Sequence, residues 1–430
     1  MLPKINSTAV AAYAKKDKEL TYNMRGLSSS VQITTPNAAL RFSFVNGELT
    51  DVADVTQGHL STAAVEISGS SQFWQAALKG GVPKAGYESL SMGQLNGLKI
   101  DGDFLGVIAP YQLGLQRLFR VFVDAVTGPL GRKPEFHGHR DTDTAVGRYV
   151  YVRANGQEAR MYYEEAGHGA IPLLLQATAG ADSRQYRHLL ADPDMQARFR
   201  MIAYDLPFHG RSLPPMGVRW WEQAYLPTGE ELMNWVVALA DKLNLDQPYF
   251  MGCSVGGQMA LDLAAEHPDR FGAFISLNGQ YDPPTVPDGF TNDLFRTPSI
   301  STHLAPGLNF GASSQIGPES SAHEVYWIYR SSFPGIYAGD NDYFMYGHDL
   351  SRNGHKIDAH KKPVYLIAGE YDPAAYDEKH GGAAVERNIP GVRFIVTPGL
   401  SHFTITDDPQ GFKEALIPIL DEVIQRTGQK

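Results

Sequence analysis

The sequence predicts an α/β fold: a mostly parallel sheet flanked by helices and carrying a cap insertion, preceded by a smaller N-terminal α+β domain. Three observations predict it. Short apolar runs alternate with helical patterns from Arg148 onward, as strands buried on both faces should. One such run, Tyr249-Phe250-Met251, ends in Gly252-Cys253-Ser254-Val255-Gly256, and a helical pattern follows at once to about Glu266. Between Gln280 and Lys362 the alternation breaks, over a stretch far longer than the usual connection of about 2–6 residues.

The chain has 430 residues, too long for one ordinary core. It divides into an N-terminal domain over 1–130, a linker over 131–147, and a second domain over 148–430 that contains the insertion at about 280–362. A hydrophobic content of 43% with 20% charged residues fits a globular protein. The net charge of −10, with no Lys/Arg-rich block, argues against nucleic acid as a partner. A single cysteine excludes an internal disulfide framework and a multi-cysteine metal site. Met1 to Lys18 lacks the apolar core of a signal peptide, and no apolar run approaches the roughly 18–20 residues that span a bilayer. A cytoplasmic location is therefore expected. Nothing signals a nucleotide or metal cofactor: Gly252 to Gly257 lacks the Lys-Ser/Thr ending of a phosphate loop.

In the first domain, Ala39 to Phe44 alternates like a half-buried strand and Asn46-Gly47 marks a hairpin turn. A second strand-like run, Ser61 to Ile67, leads through Ser68-Gly69-Ser70-Ser71 into a helix carrying Phe73, Trp74, Ala77 and Leu78. Gly97 to Asp103 then reads as a short strand and turn, and Leu113 to Val123 as a helix with one broad apolar face. The order of strand, Gly-Ser-helix and Gly97-Leu98-Lys99-Ile100-Asp101-Gly102-Asp103 resembles the sterol-carrier-protein-like fold. That resemblance implies a small sheet able to enclose an apolar ligand. A domain that only packs on an enzyme, or mediates dimerisation, fits equally well, because no polar constellation here looks catalytic.

The linker is polar and aperiodic. It holds His137 and His139 near Asp141 and Asp143, but with no structured element to fix ligand geometry these read as solvated surface rather than a metal site. Beyond it, Tyr149 to Arg153 and Ala159 to Glu164 form a hairpin about Asn155-Gly156. Strands follow at Ile171 to Leu175, Phe199 to Tyr204, Tyr249 to Met251, Ala273 to Leu277, Val364 to Ala368 and Arg393 to Val396. The clearest helix, Glu230 to Leu243, has Thr228 and Glu231 at capping-box spacing. The insertion carries Tyr326, Trp327, Tyr329, Phe333, Tyr337, Tyr343, Phe344 and Tyr346, and is expected to cap the strand ends; a surface excursion or a dimer contact is the alternative.

Gly-x-Ser-x-Gly between a strand and a helix is the context of a nucleophile elbow. The turn is tight, so Gly252 and Gly256 supply positions without a Cβ, and the serine is left at a helix N-terminus. A serine hydroxyl needs a base, and the base an orienting acid. Asp372, just past the strand Val364 to Ala368, and His402, on the loop after Arg393 to Val396, stand where the order Ser, Asp, His requires them. Ser254, Asp372 and His402 are therefore the candidate nucleophile, acid and base. Glu370 is the rival acid. Cys253 is the rival nucleophile, but one position off the apex it should point into the packed sheet.

With these elements in place, residues 148–425 closely resemble the α/β-hydrolase superfamily, in particular its esterase and C–C-bond hydrolase branches. Asp205-Leu206-Pro207-Phe208-His209-Gly210-Arg211-Ser212 is similar to that family's Asp-x-Pro-Gly-His-Gly-x-Ser loop, in which His209 and Arg211 are expected to be structural. The family's His-Gly-x-x-Gly loop reads Gln176-Ala177-Thr178-Ala179-Gly180 here, with Gln and Ala as departures. The resemblance implies an oxyanion hole from the backbone N–H groups of Thr178 and Val255, with Ala177 restricting the backbone just before Thr178.

The expected activity is that of a serine hydrolase on a carboxylic ester or lactone of a hydrophobic or aryl substrate, through an acyl-enzyme on Ser254. Trp220, Trp221 and Tyr225, with the aromatics of the insertion, favour such a small hydrophobic substrate. C–C-bond hydrolysis of a ring-cleavage product uses the same three residues and is the alternative enzyme reading. A non-catalytic hydrophobic-ligand-binding protein is the third, motivated by the altered Gln176-Ala177 loop. The oligomeric state is left open, homo-oligomers included.

Overall fold

The computed structural model describes residues 2–56, 62–135, 143–282, 292–372, 375 and 377–429. The chain forms two compact units: Met1–Pro134 with Thr302–Tyr326, and Glu135–Ser301 with Trp327–Lys430. The single insertion read from the sequence is thus divided, its middle belonging to the first unit. His137, His139 and Asp141 lie outside the described residues. Asp143 ends in a local turn, its Oδ1 accepting the N–H of Ala145 at 3.0 Å.

The first unit is built on a five-stranded sheet of β1 (Ser29–Thr35), β2 (Ala38–Val45), β3 (Glu48–Asp54), β4 (Val65–Gly69) and β5 (Leu98–Gly102). The order is β3-β2-β1-β4-β5, with β1 and β4 parallel and the other pairs antiparallel. Asn46 and Gly47, at φ 49° and 86°, turn β2 into β3 as the sequence predicts. Ser70 accepts the N–H of Phe73 and caps the helix Ser71–Ala77. That helix and Gln112–Thr127 bury Phe73, Trp74, Phe119 and Phe122 completely, and Trp74 meets Phe122 edge-on at 5.7 Å. The part of the insertion in this unit is tied in by Ser89 Oγ, which donates to the Gly311 carbonyl at 2.5 Å, and by the Lys133 N–H to Ile316 O at 2.8 Å.

The second unit contains an eight-stranded sheet: β6 (Val146–Ala154), β7 (Gln157–Ala166), β8 (Ile171–Gln176), β9 (Phe199–Tyr204), β10 (Tyr249–Cys253), β11 (Ala273–Leu277), β12 (Val364–Gly369) and β13 (Arg393–Thr397). The order is β6-β7-β9-β8-β10-β11-β12-β13. β6 and β7 form the expected antiparallel hairpin, β7 runs antiparallel to β9, and the remaining pairs are parallel. Every residue of β10, β11 and β12 is buried, which is why these strands read as unbroken apolar runs. The helix Gly229–Lys242 opens with the predicted capping box between Thr228 and Glu231. The helix Val255–Glu266 follows β10 with no connecting residue except Ser254 and is buried over all but its last residue. Among the described residues no helix is long and apolar enough to cross a membrane.

Candidate active site

Ser254 sits at φ 57° and ψ −110°, a left-handed backbone that costs a non-glycine residue on the order of 1–3 kcal/mol and persists only where the surroundings enforce it. The enforcement is visible. The Ser254 N–H donates to Leu277 O at 2.7 Å, tying the turn to the end of β11. A Cβ on Gly252 would fall 2.2 Å from Gly256 O, and one on Gly256 2.6 Å from Gln176 O, so neither position admits a side chain. The turn therefore carries Ser254 straight from the end of β10 to the start of a helix, whose first N–H groups have no intrahelical acceptor.

The structure brings His402 and Asp372 together: Nδ1 of the imidazole lies 2.6 Å from Asp372 Oδ2, and the carboxylate is buried. The loop carrying His402 is held against the elbow, since its carbonyl accepts from Cys253 Sγ at 3.3 Å and from Asn278 Nδ2 at 2.8 Å. Asn278 Oδ1 in turn accepts the Gly369 N–H at 3.0 Å, so one side chain ties the end of β12 to His402. Burial pulls the His402 pKa down, but the Asp372 carboxylate more than offsets that and leaves it above the ordinary imidazole value. Glu370, the rival acid, instead accepts the Gly399 N–H at 2.9 Å and shapes the loop before His402. Burial pushes the Cys253 thiol far up, which keeps it protonated and a poor nucleophile.

Two other buried histidines pair with carboxylates, and hydrogen bonding sets them apart from His402. His209 has Nε2 at 2.7 Å from Asp340 Oδ2 and Nδ1 at 3.0 Å from Pro207 O. His348 has Nδ1 at 2.9 Å from Asp262 Oδ1 and Nε2 at 2.8 Å from Gln280 O. Both nitrogens of each ring face acceptors, so both rings are satisfied only as imidazolium and neither has a lone pair to offer a hydroxyl. Among the described residues His402 is hydrogen-bonded through Nδ1 alone, which leaves its Nε2 unengaged.

The loop after β8 departs from expectation. The N–H of Thr178 donates to Gln185 Oε1 at 2.9 Å, that of Gly180 to Asp340 Oδ2 at 2.7 Å, and that of Ala181 to Thr178 O at 3.1 Å. The N–H group of Ala179, between the first two, has no partner among the described residues. Gln176 fills the place of the expected histidine by accepting from Tyr204 Oη at 2.6 Å through its side chain and from Tyr186 Oη at 2.7 Å through its carbonyl. Gln185, Asp340 and Asn278 were not singled out in the sequence. Each acts on a partner at least seven positions away, so no local pattern marks it.

Of the aromatic run in the insertion, Trp327 and Tyr346 are exposed, whereas Tyr329 is buried and stands 6.0 Å from the Phe403 ring, next in sequence to His402. Trp220, Trp221 and Tyr225 line a different space: a cavity of about 780 Å³ shared with Phe208, Trp235 and Phe333, whose wall includes none of Ser254, Asp372 and His402.

Residues 171–301 match the family model of the alpha/beta hydrolase fold. The chain is 22% identical to a 2-hydroxy-6-oxononadienedioate/2-hydroxy-6-oxononatrienedioate hydrolase of Paraburkholderia phymatum, over 65% of this chain and 98% of that one. Among solved structures it is similar to the enol-lactonase of Burkholderia xenovorans LB400 (TM-score 0.52, 22% identity, 63% of this chain and 100% of that one). It is likewise similar to a thermophilic esterase of Thermogutta terrifontis (TM-score 0.52, 20% identity, 64% of this chain and 99% of that one). The second unit has the alpha/beta hydrolase fold.

Proposed function

We propose that this chain, with its alpha/beta hydrolase fold, is a serine hydrolase that cleaves a carboxylic ester or lactone of a hydrophobic or aryl substrate. The observations that support the reading are a strained Ser254 at the start of a helix and, on a loop held against the same elbow, a histidine whose Nδ1 is fixed by Asp372 and whose Nε2 has no partner among the described residues. Nδ1–H donates to the carboxylate, so the neutral tautomer has its lone pair on Nε2, the form a general base needs. His402 takes the Ser254 proton as Oγ bonds to the acyl carbon, and the carbonyl electron pair moves onto oxygen. Collapse of this intermediate breaks the acyl–oxygen bond, and the leaving alkoxide takes the proton from His402. Water then repeats the sequence on the acyl-enzyme and releases the acid.

The oxyanion meets two backbone donors, the N–H of Val255 at the helix start and the N–H of Ala179. Thr178, the position implied by resemblance, already spends its N–H on Gln185, whereas Ala179 is flanked by two tethered neighbours and keeps its own. Preorganised donors of this kind each contribute roughly 10²–10³-fold in kcat.

A second reading has a specific support. The relative matched over 98% of its length is a hydrolase of an oxononadienedioate, which favours C–C-bond hydrolysis of a ring-cleavage product at the same three residues. Turnover of aryl esters compared with a 2-hydroxy-6-oxodienoate separates the two. The preferred substrate should show the higher kcat/KM, and Ser254→Ala should abolish turnover of both. Full ester turnover by Ser254→Ala overturns the assignment of the nucleophile. For the first unit, the order of β4, Ser70-capped helix and β5 supports the sterol-carrier-like reading, and an apolar ligand there accords with a hydrophobic substrate.

A further inference from the structure

We propose that Asp340, which the chain supplies from its insertion, is a positioning residue for the oxyanion loop, so that the loop is set for catalysis by the helix Ile336–Asp342. This rests on the serine-hydrolase reading and deepens it. Asp340 is 1% exposed and gathers three donors. Its Oδ2 accepts the Gly180 N–H at 2.7 Å and faces His209 Nε2 at 2.7 Å, while Oδ1 accepts Tyr225 Oη at 3.1 Å. Because His209 must be imidazolium to satisfy both Asp340 and Pro207, the buried carboxylate is neutralised where it stands, and its bond to Gly180 is charge-assisted.

Gly180 is the residue after Ala179, and its backbone is left-handed at φ 64°. The same helix backs it sterically: a Cβ at Gly180 would lie 3.0 Å from Tyr337 Cβ. One peptide beyond the open N–H, the loop is thus held by a hydrogen bond and a close contact from a single element. From Tyr337 the contacts continue through Tyr329, at 5.6 Å, to Phe403 beside His402. The helix therefore reaches both the oxyanion loop and the base loop. Nothing in this requires Asp340 to touch substrate.

The test compares Asp340→Ala and Asp340→Asn with the unaltered full chain on an aryl ester, with kcat normalised to Ser254 titrated by a fluorophosphonate. Asp340→Ala leaves the Gly180 N–H without an acceptor, and kcat per titrated site should fall on the order of 100-fold with KM changed less than about threefold. Affinity for an aryl boronic acid, which presents a tetrahedral anion, should fall in parallel. Asp340→Asn keeps a weaker, neutral acceptor and should recover most of the loss while staying roughly three- to tenfold below wild type in kcat per titrated site and in boronate affinity. A merely structural role lowers the yield of folded protein but leaves kcat per titrated site unchanged. Wild-type kcat and boronate affinity in both variants, or in Asp340→Asn where Asp340→Ala does not fold, overturn the proposal. Absence of labelling in the unaltered chain overturns the hydrolase reading instead.

Discussion

Asp372→Asn is the substitution that most sharply probes how the base is built. The carboxylate lies 2.6 Å from His402 Nδ1 and is buried, so the amide fits the same space while removing the charge. Two effects follow. With the charge centres of the ion pair roughly 4 Å apart at an effective dielectric near 20, the imidazolium formed in the transition state loses about 4 kcal/mol of attraction, or about 10³ in rate. The amide also offers an N–H to Nδ1, which favours the tautomer with its proton on Nε2, and that tautomer cannot accept from Ser254. In a serine protease the corresponding change costs about 10⁴ in kcat. His402 retains 24% side-chain exposure, so solvent softens the first effect, and a loss of 10³–10⁴ in kcat is expected. Stopped-flow hydrolysis of an aryl ester measures it, with near-wild-type secondary structure as the folding control. A loss under tenfold would refute the reasoning and shift the orienting role to another carboxylate, Asp407 being the one whose charge also reaches His402.

Three further outcomes are expected. In the proposed mechanism His402 is a neutral base, and its pKa is raised, so kcat/KM should climb with pH through an apparent pKa above the ordinary imidazole value of 6.5, and a midpoint below that value contradicts the electrostatics. Asp262→Ala strands the buried His348 imidazolium and the Tyr343 hydroxyl, which donates to Asp262 at 2.6 Å, and should cost about 3–5 kcal/mol in urea unfolding. The His348 pKa is raised by Asp262 against the opposing effect of burial. The contribution of this pair is therefore full below about pH 6.5 and is lost as pH rises through the folded-state value; wild-type stability in the variant, or the opposite pH trend, counts against it. Gly256→Ala places a Cβ 2.6 Å from the Gln176 carbonyl and should destabilise by at least about 1–3 kcal/mol with loss of activity, whereas an active, equally stable protein would show the elbow to be looser than described.

The legibility of this chain follows the range of the interactions. β10, Ser254 and the buried helix behind it are local, and their glycines, apolar run and helical period all lie within about twenty residues, so the sequence displays the elbow outright. Asp372 and His402 are legible as candidates because each follows a parallel strand whose apolar run is plain, β12 fully buried and β13 only partly so. β1 was not singled out, although Val31 and Ile33 are buried, because its serines and threonines mask the alternation. In the proposed oxyanion hole the donor shifts one residue from the expected Thr178 to Ala179, for a tertiary reason. Whether an N–H is open depends on Gln185 and Asp340, and Asp340 is 160 positions from Gly180. The same holds for His209: its loop motif is visible, but its charge state comes from a carboxylate in the insertion. Placement of Thr302–Tyr326 with the first unit likewise rests on contacts such as Ser89 to Gly311 that no local period announces.

The most direct measurement is mass-spectrometric mapping of the adduct formed when the folded chain meets a fluorophosphonate. A covalent adduct on Ser254, absent from Cys253 and from Ser254→Ala, and formed faster as pH rises through the His402 titration, is the predicted result. A folded protein that leaves Ser254 unlabelled, or takes the probe with full stoichiometry elsewhere, contradicts nucleophilic catalysis at the elbow.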